Sequence, residues 1–177
     1  PDPRLEALRG HARAELRRVA AERRDDDREI DDDTVAFACA LARQCFINEY
    51  VYGLTEAESG LANGLREQLL GDLASEAAVT PLTLAVVAAY FPLHTLPGAE
   101  ALLRRDWPAA VAGLLKVQLR EPLEEANDRA AIATLVPVKD AVSVQVMRQY
   151  EENPYPRWTV NPLSVFAADN ELGKAVP

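Results

Sequence analysis

The feature that most constrains this chain is the spacing of its apolar residues. In nearly every segment they recur at three- and four-residue intervals, and each run is opened by a capping residue or a proline. Asp2 and Pro3 supply a cap and a first helical position, after which Leu5, Leu8, Ala12, Leu16 and Val19 form one stripe with arginines opposite. Thr55 and Glu58 form a capping box ahead of Leu61, Leu65, Leu69 and Leu70. Thr80 and Pro81 open a run that turns Leu82, Leu84, Val87, Ala88 and Phe91 inward until Pro92 stops it. Pro97, Pro108 and Pro122 each stand near a further helical start, and the last carries Leu123, Ala126, Ala130 and Ala131. The pattern predicts an all-α fold, an irregular multi-helix bundle of roughly seven to eight helices.

Two segments need separate treatment. Between Arg23 and Asp33, seven carboxylates crowd into eleven residues, a density whose self-repulsion predicts a solvated linker or a frayed helix end. A calcium loop would require ordered alternation and a central glycine, both of which this run lacks. Asp33 or Thr34 is the expected cap of a second helix reaching about Tyr52 and closed by Gly53. Its apolar residues (Val35, Phe37, Ala38, Leu41, Cys45, Phe46, Ile47, Val51) lie almost all round, the mark of a central buried helix. Farther on, Val142, Val144 and Val146 alternate with Ser143 and Gln145 like a strand. Asp140 is a good cap, however, and Val142, Val146 and Tyr150 make a helical stripe. With no second strand to pair with, the helix is favoured.

Composition narrows the function. The 177 residues suit one domain with a real core, 49% are hydrophobic but only 6% aromatic, and the net charge is −9. A phosphate-binding surface for nucleic acid would need a basic face, so nucleic acid is not an expected partner. The apolar runs are too short to span a bilayer and no cleavable signal stands at the start, so neither is a membrane. Cys39 and Cys45 read as buried thiols of a reducing compartment, and the cytoplasm is the expected location. The chain starts at Pro1 without a methionine, as an excerpt of a longer protein does.

Catalytic chemistry finds little to stand on. His11 and His94 are far apart, and no HExxH, CxxC or paired-carboxylate spacing is visible, so neither a metal site nor a cofactor site is expected. A thiol nucleophile would need Cys39 or Cys45 beside a histidine, yet both sit among alanine, leucine and phenylalanine. His11 belongs on the arginine-rich surface of its helix. Gly53, Gly60 and Gly64 are dispersed through helical sequence and form no phosphate-binding turn. No catalytic residue is assigned.

Two stretches are unusual for helical filler. In Gln44–Tyr52 (QCFINEYVY), Asn48 and Glu49 interrupt an apolar helix beside Tyr50. A buried Glu49 would need a defined partner, as a tie between helices or as a polar contact to a ligand or docking domain. In Gln149–Trp158 (QYEENPYPRW), Asn153 and Tyr155 each precede a proline and avoid helical angles. That places Tyr155, Arg157 and Trp158 on an extended, proline-rich strap, either folded onto the core or available as a docking surface.

These two stretches resemble the region between tetratricopeptide repeats and the class I S-adenosylmethionine-dependent methyltransferase domain in a family of large bacterial methyltransferase-like proteins. The resemblance runs in outline from Thr34 to Trp158, and the ten-residue strap is its more specific part. Beyond Trp158 the chain reads TVNPLSVFAADNELGKAVP, with no apolar strand leading to a glycine-rich turn, and no 34-residue repeat period is evident upstream. The resemblance thus implies a non-catalytic regulatory or substrate-positioning helical domain at 1–152 and a strap at 153–177 leading toward a catalytic domain. It implies S-adenosylmethionine as cofactor of the full-length protein but none in this segment. The expected partner is that downstream methyltransferase domain or another protein, with homo-oligomers an option. Candidate docking residues are Asn48, Glu49, Tyr50, Asn153, Tyr155, Arg157 and Trp158. The alternative is a stand-alone helical protein–protein interaction module resembling an adaptor. A small enzyme using Glu49 as a perturbed carboxylate is a third reading.

Overall fold

The computed structural model describes residues 3–22, 31–131, 144–146 and 148–149. The chain forms two compact units, Pro1–Ile132 and Ala133–Pro177. Among the described residues there is no strand, and the all-α expectation holds. In the second unit the backbone is helical at 144–146 and 148–149, as the capped, striped reading of that segment predicts. The sequence-based boundary at 152/153 falls inside this unit.

The first unit contains α1 (Pro3–Glu22), α2 (Asp32–Ile47), α3 (Glu56–Ala74), α4 (Pro81–Ala88), α5 (Ala109–Leu115) and α6 (Glu121–Ala131). Short 3₁₀ turns at Leu93–Thr95 and Ala99–Arg104 link α4 to α5. The short helix α4 is the centre of the unit. Its sequence, PLTLAVVA, is apolar on every side, and every residue from Leu82 to Tyr90 is buried. The helices α1, α2, α3 and α5 all pack against it. Each fully buried leucine or valine there contributes about 1.5–3 kcal/mol through burial.

The caps follow sequence logic. The Thr80 hydroxyl accepts from Thr83 N at 3.2 Å, with Pro81 in the first helical turn. The Thr55 hydroxyl accepts from Glu58 N at 3.1 Å. At α2 the cap is Asp31, two or three residues earlier than expected: its carboxylate accepts from Thr34 N at 2.8 Å and from the Thr34 hydroxyl at 2.8 Å. Asp32 and Asp33 occupy the first turn, where negative charge meets the positive end of the helix dipole. The end of the acidic run is thus a helix start. Asp25, Asp26, Asp27 and Glu29 lie outside the described residues.

Three expectations change. First, α2 stops at Ile47 and not near Tyr52, and it is one-sided rather than central: Phe37 is 55% exposed. Second, Leu8 and Leu61 point to solvent; the expected Leu16, Leu65 and Leu69 are buried, joined by Arg13 and Ala20 on α1 and by Ala62 and Leu73 on α3. Third, α6 does begin beside Pro122, but no break precedes it. The chain continues from α5 through a π-helical segment, Lys116–Arg120, directly into α6, where Glu121 N donates to the Lys116 carbonyl. In a regular α-helix the Pro122 ring would press on the Gln118 carbonyl and leave it without a donor, and the widened turn relieves that conflict.

Pro97 and Gly98 form the remaining landmark. Gly98 has φ +75, and Ala99 N donates to the Leu96 carbonyl at 3.2 Å. This is a proline–glycine turn with glycine in the left-handed position that it alone occupies without strain. It sets the direction of the second 3₁₀ turn.

Candidate functional site

The motif Gln44–Tyr52 forms the exit from α2. Asn48 caps the helix, donating its backbone N–H to the Gln44 and Phe46 carbonyls, while its side-chain oxygen accepts from Gln44 Nε2 at 3.0 Å. Glu49 and Tyr50 follow with φ of 52 and 57. Two consecutive non-glycine residues in the left-handed region cost about 1–2 kcal/mol each, so the turn needs outside support. Aromatic anchors supply it. The Tyr50 hydroxyl lies 3.0 Å from the Ala88 carbonyl and 3.3 Å from Gln118 Oε1, and the Tyr52 hydroxyl donates to the Ala89 carbonyl at 2.6 Å. Tyr50 packs edge-on against both Phe46 and Tyr52, with ring centroids 6.4 and 6.3 Å apart. The two tyrosines thus occupy the carbonyls that α4 leaves unsatisfied at its C-terminal end.

Glu49 departs from its expected role. It is exposed, because the helix ends before it and the left-handed turn carries its side chain outward. The expectation of a buried Glu49 is therefore corrected. Val51, next but one, is 80% exposed. Asn153, Tyr155, Arg157 and Trp158 lie outside the described residues.

The buried polar residues of this region are ones that sequence reasoning passed over. Arg13, 3% exposed, donates from Nε to Glu58 Oε1 at 3.2 Å. Its guanidinium stacks 3.6 Å from the centroid of the Tyr52 ring and 5.2 Å from that of Tyr90, and the Tyr90 hydroxyl donates to the same Glu58 oxygen at 2.9 Å. One ion pair with two aromatic walls thereby joins α1, the end of the α2 motif, α3 and the residues after α4. The Glu58 of the predicted capping box is drawn into this cluster. Gln118, wholly buried, forms a second knot. Its Nε2 donates to the Ala42 and Ala88 carbonyls, both at 3.0 Å, and its Oε1 accepts from Leu93 N and faces the Tyr50 hydroxyl, both at 3.3 Å. Every polar position of that amide has a neighbour. A signal for Gln118 did exist: Val111, Leu114, Leu115 and Leu119 place it on their own stripe.

Burial favours the protonated forms of Cys39, Cys45 and Tyr90. It is the main force raising the Cys45 thiol, with Arg13 pulling the other way. Cys39 moves from 9.0 up to about 11, again through burial. Such thiols are weak nucleophiles at neutral pH. The Tyr90 hydroxyl rises from 10.0 to about 12, first through burial and then through its hydrogen bond to Glu58. Because the fold favours the protonated forms, their stabilisation is complete below pH 9.0 for Cys39 and below 10.0 for Tyr90, and is lost as the pH climbs through about 11 and 12. The urea midpoint is expected to hold steady from neutral pH to about 9 and then fall. The Cys39→Ala variant should lose the earlier part of that fall. A midpoint unchanged to pH 11 would contradict the assignment.

Among the described residues, no group of three or more histidine, cysteine or acidic side chains is placed to hold a metal ion, and no helix is long and apolar enough to cross a membrane. No protein-family model, curated protein or solved structure matches the chain.

Proposed function

We propose that this chain is a non-catalytic helical domain that docks onto, and positions substrate for, an S-adenosylmethionine-dependent methyltransferase domain in the same polypeptide. The observation that carries the reading is the Asn48–Tyr52 turn. It belongs to one of the two motifs that resemble the methyltransferase-associated region, and it is anchored from behind by Tyr50 and Tyr52 while holding Glu49 and Val51 outward. A strained turn kept rigid for display suits a contact surface better than a plain helix end does. The exposed valine offers apolar area and the carboxylate beside it offers register.

Calorimetric titration of S-adenosylhomocysteine tests the proposal on two samples, the 177 residues and the full open reading frame that carries them. The expected result is no heat from the first and one-to-one binding by the second. Binding by the 177 residues alone would overturn the non-catalytic reading. The stand-alone interaction module is the second reading, favoured by exposed Leu8, Phe37 and Leu61 on three different helices. An open reading frame without a cofactor domain, combined with concentration-dependent self-association, would select it.

A further inference from the structure

A cleft of about 490 Å³ opens between the second 3₁₀ turn and the helix that runs from α5 into the π-helical segment. Its lining includes Leu102 and Leu115, both residues of the core. Trp107 also lines it, partly buried and packed against that core. The indole N–H donates to the Leu102 carbonyl at 2.8 Å, which fixes the ring and engages its one polar atom. What this side chain offers the cleft is therefore ring surface, suited to another flat ring.

The charged part of the lining is mainly cationic. Arg105 follows the 3₁₀ turn, and its Nη1 donates to the Ala77 carbonyl at 2.9 Å, which anchors the guanidinium. Lys116 and Arg120 come from the π-helical segment, a rare geometry that recurs at functional sites. The carboxylate in the lining is Asp106. Glu121 approaches Lys116 only to 3.9 Å, with side chains 46% and 66% exposed, a pair too solvated to cancel the local charge. Three cations against one lining carboxylate reverse, at this spot, the sign of a chain whose net charge is −9. Gly113 keeps the space open, since a methyl group built on it would meet nothing within 4 Å.

We propose that this cleft binds an aromatic anion, a flat ring that lies against Trp107 while a carboxylate or phosphate on it pairs with Arg105 and Arg120. A ring alone leaves the cations unanswered, and a bare anion leaves the indole uncovered. Carboxylate and phosphate present the same oxyanion chemistry to a guanidinium, so ring plus oxyanion is what the site recognises. The size suits such a ligand, since small-molecule sites run from about 300 to 1,000 Å³ with apolar walls and a few charged groups. The site is independent of the methyltransferase reading.

The test follows the Trp107 indole N–H of the whole 177-residue chain by NMR, told apart from that of Trp158 through Trp158→Phe. Benzoate is titrated in one arm and phenyl phosphate in the other. Benzyl alcohol and inorganic phosphate serve as controls, each carrying one half of the chemistry, all at constant ionic strength. Saturable movement is expected with at least one aromatic anion, and the tighter of the two identifies the anionic group. Each control should bind about tenfold more weakly or worse, since it lacks either the charge-assisted pair or the stacked ring. Gly113→Leu places a side chain in the cleft and replaces a poor helix former by a good one. The chain should stay folded while binding weakens about tenfold or more. Arg120→Gln, at an exposed position, is expected to weaken the aromatic anions about threefold and to leave benzyl alcohol unchanged. Linear drift with both aromatic anions, either control binding as tightly as they do, or unchanged binding in Gly113→Leu would overturn the proposal.

Discussion

Gln118→Met is expected to lower the free energy of unfolding by about 3 kcal/mol, measured by urea denaturation with the slope unchanged. Methionine matches glutamine in length and volume, so the substitution leaves little cavity and isolates the hydrogen bonds. What remains is the Leu93 N–H without its buried acceptor and two carbonyls, Ala42 and Ala88, each with one donor fewer. The orphaned N–H costs about 1–3 kcal/mol and each carbonyl less, and relaxation and the neighbouring Tyr50 hydroxyl recover part of it. Gln118→Ala adds a cavity and should be worse by about another 1–2 kcal/mol. A Gln118→Met protein as stable as the parent would mean that those hydrogen bonds contribute nothing net.

Arg13→Met should cost about 3 kcal/mol, since it strands the Glu58 carboxylate, only 13% exposed, beside two aromatic rings. Arg13→Lys keeps the charge but loses the flat stack on Tyr52 and the directed Nε contact, and about half that loss is expected. The informative variant is the double substitution Arg13→Met with Glu58→Leu. Replacing both charges by apolar groups removes the stranded carboxylate, and stability should recover by 1 kcal/mol or more, about the scale seen when buried pairs are replaced. If the double variant is less stable than Arg13→Met alone, then Glu58 is held mainly by Tyr90, and the ion pair is secondary.

The two knots also explain why the α2 exit keeps its strained shape. Glu49 and Tyr50 adopt left-handed backbone only because Tyr50 and Tyr52 are hydrogen-bonded at the end of α4. Gln118 links that point to α2, and Arg13 walls in Tyr52 from the side of α1. Display of Glu49 and Val51 therefore depends on residues from three distant parts of the chain. Loss of either knot should loosen the turn before it disturbs the far end of α3.

The sequence by itself determined the fold class, most of the helix starts and the short list of breaks. These are local matters. A threonine hydroxyl three residues ahead of a free backbone N–H, as at Thr55 and Thr80, makes its bond whatever the rest of the chain does. A proline followed by glycine, as at Pro97 and Gly98, turns the backbone by sterics alone. Tertiary structure decided which polar residues went inside. Several arginines crowd α1, and nothing local singles out Arg13; Glu58 and Tyr90, 45 and 32 residues apart from their partners in this cluster, make the choice. The exit of α2 was decided in the same way, since the strain at Glu49 and Tyr50 is local while the carbonyls that offset it belong to α4. Helix caps are satisfied within one turn, but a buried polar group must be satisfied by whatever the fold brings beside it, and that becomes known only once the helices have packed.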